Sequence, residues 1–247
     1  MVMIDFFKKK IYPPGFLLGG YKILSTIGEG RFGICYLAEL DDKQYVLKVI
    51  KPNAIKKSGN KLIFEERILS SIDNPAIPKI LEVIKTDEIH VYVLEYKKGR
   101  TLEEMIFDDG HVFSRCEIYK VGIALINIIK YLHERNIVHR DIRVPNVVID
   151  EDEVYLIDFG LARLVDNDRY IPNIDFRCLG HLLIHLYYSS FDGTNKKSGP
   201  WYEELELSQK ELIFLKKLLG LKRKYMSIDD VEHDFEKIFP REDIVSK

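Results

Sequence analysis

From Tyr21 onward, apolar and polar residues fall into the short runs that mark half-buried strands. Tyr21 to Ile27 and Ile34 to Ala38 flank a glycine-rich turn, Gly28-Glu29-Gly30-Arg31-Phe32-Gly33, and Gln44 to Ile50 follows as a third strand. Ile80 to Ile84 and Ile89 to Tyr96 predict two more strands around the polar turn Thr86-Asp87-Glu88. Between them, Lys61 to Ser71 spaces Phe64, Ile68, Leu69 and Ile72 as one stripe of a helix. After Gly99 the period lengthens. Thr101-Leu102-Glu103-Glu104 has the form of a capping box. Glu117 to Asn136 carries Ile118, Val121, Leu125, Ile128, Ile129 and Leu132 at helical spacing, as a central packing helix would. Val147 to Ile149 and Val154 to Ile157, parted by Asp150-Glu151-Asp152-Glu153, predict a hairpin. Further helices are expected from Asp175, after Ser208 and near Ser227. A β-rich first part followed by a mostly helical remainder is an α+β pattern.

At 247 residues the chain suits one large domain or two closely apposed lobes. Its 37 Lys and Arg against 39 Asp and Glu leave a net charge of −2, which gives no nucleic-acid footprint. Cys35, Cys116 and Cys178 are far apart, without a CxxC pair, so neither a disulfide framework nor a zinc site is expected. Apolar runs such as Val121 to Ile129 are too short to span a bilayer, and no cleavable signal is evident. The expectation is a cytoplasmic protein. Met1 to Gly20 reads as an extension with a Lys8-Lys9-Lys10 cluster; a tail covering the β-rich part is favoured over a membrane or helix contact.

The chemistry concentrates between Ile137 and Arg163. His139-Arg140-Asp141 is followed by Asn146, and the hairpin ends in Asp158-Phe159-Gly160, returning Asp158 towards Asp141 and Asn146. Two carboxylates and an amide suit a divalent metal on phosphate, with one acid left to orient a nucleophile. The glycine turn lets backbone N–H groups approach phosphate oxygens, and strands on both sides distinguish it from the strand-to-helix dinucleotide fingerprint. Lys48 stands inside an apolar strand, which is costly unless it is paired or faces a ligand. Glu65 and Glu66 lie on the following helix.

These residues together resemble the eukaryotic-type (Hanks-type) protein kinase family, whose catalytic loop H-R-D-x-x-x-x-N precedes D-F-G. The resemblance runs from Tyr21 to about Phe239 and is weakest between Leu164 and Ser208. It implies a two-lobed kinase fold, with a small β-rich lobe from residue 21 to about 96 and a larger helical lobe over 97–247. It implies ATP with Mg²⁺ (Mn²⁺ as the alternative ion) and a protein Ser or Thr hydroxyl as acceptor, autophosphorylation included. By that match Asp141 orients the hydroxyl and takes its proton, Arg143 steadies the γ-phosphate, and Asn146 and Asp158 bind the metal. Lys48 holds the nucleotide phosphates and Glu65 rather than Glu66 pairs with it. Ile27, Gly28, Glu29, Gly30, Arg31, Phe32, Gly33, Cys35, Val46, Leu94 as gatekeeper, Glu95, Tyr96 and Val148 complete the nucleotide set. His133 reads as structural. The alternatives are a nucleotide-binding pseudokinase and a small-molecule kinase of aminoglycoside-phosphotransferase type.

The sequence also departs from that pattern. Only sixteen residues separate Asp158 from Asp175, which resembles the acid of the D-x-x-S-x-G helix that anchors the catalytic loop. There is no Ala-Pro-Glu anchor and no Ser or Thr between Phe159 and Tyr188, so Asp166 or Asp168 becomes a candidate partner for Arg140. Arg143 replaces the usual lysine and Pro145 stands one place later than the family's proline. Val46 and Cys35 replace a usual alanine and valine. Lys222-Arg223-Lys224 lies where the family keeps an arginine for the missing glutamate.

Overall fold

The computed structural model describes residues 11–30, 32–51, 64–87, 89–166, 168–191 and 199–238. The expectations for residues 1–10, Arg31, Lys61 to Ile63, Glu88, Lys196 to Ser198 and Phe239 lie outside the described residues. The chain forms two compact units, Met1–Glu66 with Lys79–Tyr96, and Arg67–Pro78 with Lys97–Lys247.

The first unit is a six-stranded antiparallel sheet. Its strands are β1 (Leu17–Leu18), β2 (Tyr21–Glu29), β3 (Gly33–Leu40), β4 (Lys43–Ile50), β5 (Ile80–Lys85) and β6 (His90–Glu95), in the order β1-β2-β3-β4-β6-β5. Asp41 and Asp42 both adopt positive φ in the two-residue turn between β3 and β4, the geometry whose twist matches a tight hairpin. Because side chains alternate, Ile23, Ile34, Tyr36, Ala38, Leu47, Val91 and Val93 bury one core, joined by Tyr12, Leu18 and Tyr21. The register pairs Cys35 with Lys48 and Val46 with Leu94, so these four share the opposite face.

The sheet begins before Tyr21, where the sequence suggested an extension. Leu17 and Leu18 pair with Lys22 and Tyr21, Ile23 N–H donates to the Phe16 carbonyl, and Tyr12 N–H donates to the Tyr36 hydroxyl. The turn at Pro13-Pro14-Gly15 folds this segment back onto β2, and Tyr12 and Leu18 are buried there.

Helix α1 (residues 64–70) carries Glu65, with Ile68 and Leu69 buried. The second unit holds α2 (Leu102–Phe107), α3 (Arg115–His133), α4 (Asn173–Tyr188), α5 (Trp201–Glu204), α6 (Gln209–Leu218) and α7 (Ile228–Ile238). Helix α3 packs on α4 and α7, and α6 packs on both of those. It buries Ile118, Val121, Leu125, Ile128, Ile129 and Leu132, so the apolar spacing in the sequence is the packing face. Thr101 with Glu104, Ser114 with Glu117 and Ser208 with Glu211 form reciprocal capping boxes. Each satisfies two backbone donors that a helix start leaves open. Two small sheets carry the catalytic segment. In one, β7 (Arg100–Thr101) and β10 (Glu153–Leu156) flank β9 (Val147–Asp150); in the other, β8 (Ile137–Val138) pairs with β11 (Arg163–Leu164). β7, β8, β11 and α5 were not legible in the hydropathy pattern, being two to four residues long.

Candidate active site

In the first unit, Lys48 Nζ lies 2.5 Å from Glu65 Oε1, and their side chains are only 6% and 2% exposed. Burying either ion alone would cost several kcal/mol, and pairing with hydrogen bonding offsets that cost. Of the two adjacent glutamates, Glu66 is 41% exposed and sits 3.9 Å from His90 Nε2. Helical phase separates them, because neighbouring residues point about 100° apart.

The glycines of the β2–β3 turn differ in what they permit. A Cβ on Gly33 would fall 2.5 Å from the Val49 carbonyl oxygen, so the strand can approach β4 only with glycine there. Gly28 and Gly30 face open space, leaving their backbone approachable by a ligand. Gly30 N–H donates to the Gly33 carbonyl at 2.9 Å. Lys51, which the sequence did not single out, fastens the turn: its Nζ donates to Glu29 Oε1 at 2.7 Å and to the Gly30 carbonyl at 2.8 Å. A lysine ending a strand carried no signal of that role. Ile27 is exposed, whereas Phe32 packs against Ile50 and Tyr92. Glu95 ends β6; its N–H donates to the Lys79 carbonyl and its carboxylate accepts from Lys79 N–H, so both groups are engaged inside the unit. Tyr96 follows, half-buried.

In the second unit, a single 3₁₀ turn, Val144–Asn146, joins the catalytic loop to β9, and Pro145 at its start supplies a fixed φ. The β9–β10 register pairs Val147 with Leu156, and Ile157 N–H donates to the Asn146 carbonyl at 2.9 Å. That bond places the residue before Asp158 beside Asn146. The Asn146 amide Nδ2 donates to both the Asp141 carbonyl and Asp141 Oδ2, each at 2.9 Å. Its Oδ1 therefore points away from Asp141. Arg143 Nε meets Asp141 Oδ1 at 3.0 Å, with the Arg143 side chain 61% exposed. Asp158 adopts φ 60°, a left-handed conformation uncommon for a non-glycine residue, and its Oδ1 accepts Gly160 N–H. Val148 is buried in β9.

Behind these groups sits Asp175, fully buried in the first turn of α4. Its carboxylate accepts the N–H groups of His139 and Arg140 at 3.0 and 2.7 Å and lies 2.9 Å from His133 Nε2. This hub holds Arg140 at φ 70°. The His139 ring stacks edge-on against Phe159 at 4.6 Å, and its Nδ1 accepts Asp141 N–H. Burial keeps its imidazole below the usual range, against the pull of Asp175, Asp158 and Asp141.

The suggested pairing of Arg140 with Asp166 or Asp168 gives way to a different contact. Arg140 lies over the Tyr170 ring, 4.6 Å from its centroid, and donates to the Leu161 carbonyl. Asp166 instead accepts three backbone N–H groups, from Asp168, Arg169 and Tyr170, and so closes its own turn. Lys222, Arg223 and Lys224 are exposed, and the buried Glu211 pairs with Arg115 at 2.7 Å and accepts from Tyr187 OH. Among the described residues, no three His, Cys, Asp or Glu side chains form a metal cluster. A carboxylate with an amide oxygen is still a hard-oxygen set of the kind Mg²⁺ uses, since that ion keeps water and phosphate oxygens as its other ligands.

The site thus offers a buried Lys48–Glu65 pair in one unit, and Asp141, Asn146 and Asp158 around a hairpin in the other. Comparison with known proteins agrees. The family model described as protein kinase domain matches residues 21–195. The chain is 34% identical over 226 residues to the probable serine/threonine-protein kinase YbdM of Bacillus subtilis, covering 88% of each chain. It is 34% identical over 167 residues to the probable serine/threonine-protein kinase KIN1 homolog of Enterocytozoon bieneusi, covering 66% of this chain and 28% of that one. It is also 34% identical over 154 residues to the serine/threonine-protein kinase OXI1 of Arabidopsis thaliana, covering 57% and 37%. The chain thus belongs to the protein kinase domain family.

Proposed function

We propose that this protein transfers the γ-phosphoryl group of ATP to a Ser or Thr hydroxyl of a protein. The observation that carries this reading is the locked catalytic loop. Asn146 is bound through its amide to Asp141 and through its carbonyl to Ile157, the residue before Asp158. These bonds support a site in which Asp141, the Asn146 amide oxygen and Asp158 act together. The Ser or Thr preference is supported by the names its relatives carry.

Asp141 orients the acceptor hydroxyl and takes its proton, its carboxylate rotamer held by Asn146 and Arg143. Arg143, mostly exposed beside Asp141, steadies the γ-phosphoryl oxygens. The Asn146 Oδ1 and the Asp158 carboxylate are the groups that hold Mg²⁺, which when bound neutralises phosphate charge. Lys48, kept in place by Glu65, holds the α- and β-phosphates. Cys35, Val46 and Leu94 give adenine an apolar sheet face, and Gly28 and Gly30 offer backbone to the phosphates. Catalysis of this kind is positioning and electrostatics, with no covalent work for the protein.

Incubation of the purified chain with γ-labelled ATP, Mg²⁺ and dephosphorylated casein tests the proposal. Label is expected on phosphoserine or phosphothreonine of the casein or of the chain itself, and to vanish with EDTA. Nucleotide binding without label on any hydroxyl would leave a pseudokinase. Label on an aminoglycoside alone would make it a small-molecule kinase.

A further inference from the structure

The segment between Asp158 and α4 lacks any Ser or Thr, and Tyr170 is the hydroxyl it contains. Two independent features converge on that tyrosine. The first is the turn that holds it. Asp166 Oδ1 accepts from the backbone of Asp168, Arg169 and Tyr170 at 3.1, 2.9 and 2.7 Å, and Asp166 N–H donates to the Tyr170 carbonyl. A closed turn of this kind is ordered by its own hydrogen bonds and by its short length. The second is what the ring touches. The Arg140 guanidinium lies 4.6 Å from the ring centroid. Arg140 also donates to the Leu161 carbonyl at 3.0 Å, so one guanidinium joins the catalytic loop, the start of this segment and Tyr170. Arg140 directly precedes Asp141, and its N–H is one of the bonds that seat the loop on Asp175.

Resting on the kinase reading above, we infer that unphosphorylated Tyr170 is a positioning residue: its ring clamps Arg140 and so holds Asp141 in its working geometry. The π face of the ring gives the guanidinium a second partner beside the Leu161 carbonyl. No added phosphate is then required. The surroundings of the phenol fit this role. Burial works to raise it, but the hydrogen bond from Arg169 and the charges of Arg140 and Arg163 outweigh that and keep it below its ordinary range.

The test uses the full chain, stripped of phosphate, with Mg²⁺-ATP and dephosphorylated casein. Tyr170→Leu is expected to lower kcat about two- to tenfold, the range that a cation–π contact converts to. KM for ATP and the unfolding midpoint should stay with the parent. Tyr170→Phe keeps the ring and should restore parental kcat. Asp166→Ala, which loosens the turn without touching the ring, should lower kcat in the same direction. In an Arg140→Met background, Tyr170→Leu should change nothing further, because the two act as one unit. Parental kcat in Tyr170→Leu, additive losses in the double variant, or a Tyr170→Phe as slow as Tyr170→Leu would overturn the inference. The last result would assign the work to the hydroxyl or its phosphate. A parent that labels no hydroxyl would instead bring down the kinase reading, and this inference with it.

Discussion

Lys48 and Glu65 expose 6% and 2% of their side chains, whereas Asp141 exposes 20% and its partner Arg143 61%. The first unit sets Lys48 inside a β-sheet, on a strand whose side chains alternate between its two faces. The second unit carries its functional charges on loop and turn residues and buries a different acid, Asp175, behind them. That acid accepts backbone N–H groups and contacts His133, so it seats the loop and is itself removed from the reacting groups. Function and stability are therefore fused in the β unit and separable in the helical one. Each unit can be tested against that distinction.

The largest expected effect lies on the separable side. Asp158→Asn keeps an oxygen to accept Gly160 N–H but removes the charge proposed to hold the metal. Phosphoryl transfer should fall by about 10³-fold or more, with the unfolding midpoint unchanged. Turnover equal to the parent would remove Asp158 from the metal site, and a large loss of stability would break the distinction.

On the fused side, Lys48→Met removes the buried ammonium 2.5 Å from Glu65 Oε1. Stability should drop by about 3–5 kcal/mol, read by urea unfolding, and the stabilisation by Mg²⁺-ATP should disappear. Adding Glu65→Leu should recover most of the stability and none of the nucleotide response. If Lys48→Met unfolds like the parent, the pair carries no part of the fold.

A smaller effect is expected between α6 and α7, where Asp234 accepts from Lys217 Nζ at 2.7 Å and from Tyr225 OH at 2.9 Å. Burial opposes its charge, but the hydrogen bonds from Lys217 and Tyr225 and the charges of Lys217 and Lys237 prevail and hold its pKa below the usual carboxylate range. A group depressed in this way stabilises the fold above its unfolded pKa of about 4 and loses that contribution as pH falls through the folded value. Asp234→Asn should cost about 1 kcal/mol at pH 7 and progressively less as pH drops below about 4. A penalty that does not shrink on acidification would show that shape rather than charge matters there.

The smallest predicted effect is none. With Tyr170 as the hydroxyl between Asp158 and α4, complete dephosphorylation should leave the first turnovers without a lag. A lag that ends as Tyr170 acquires phosphate would replace the ring clamp by a tyrosine switch.

Much of this was legible in the residues alone. The strands around Lys48, the long apolar stripe of α3 and the hairpin ending at Asp158 are local patterns, and burial of one face is enough to impose them. The capping box at Thr101 was legible for the same reason, since donor and acceptor lie three residues apart. The family match itself rested on short motifs whose spacing survives in one dimension.

What tertiary structure decided is set by contacts between residues far apart in the chain. Resemblance favoured Glu65, but only the phase of α1 against β4 brings its carboxylate to Lys48 and turns Glu66 outward. The segment before Tyr21 looked like an extension because its apolar residues are interrupted by Lys8-Lys9-Lys10 and Pro13-Pro14-Gly15, yet its backbone could pair with β2 and bury Tyr12 and Leu18. The long-range contacts of Lys51, Glu211 and Tyr170 carried no local signal, although Tyr170 stands out in the sequence as the hydroxyl of its segment. Their partners in the glycine turn, on α3 and beside Asp141 are chosen by how strands and helices come together. Arg140 shows the limit most clearly: charge counting along the loop pointed to an aspartate, and the turn built by Asp166 gave it an aromatic ring instead.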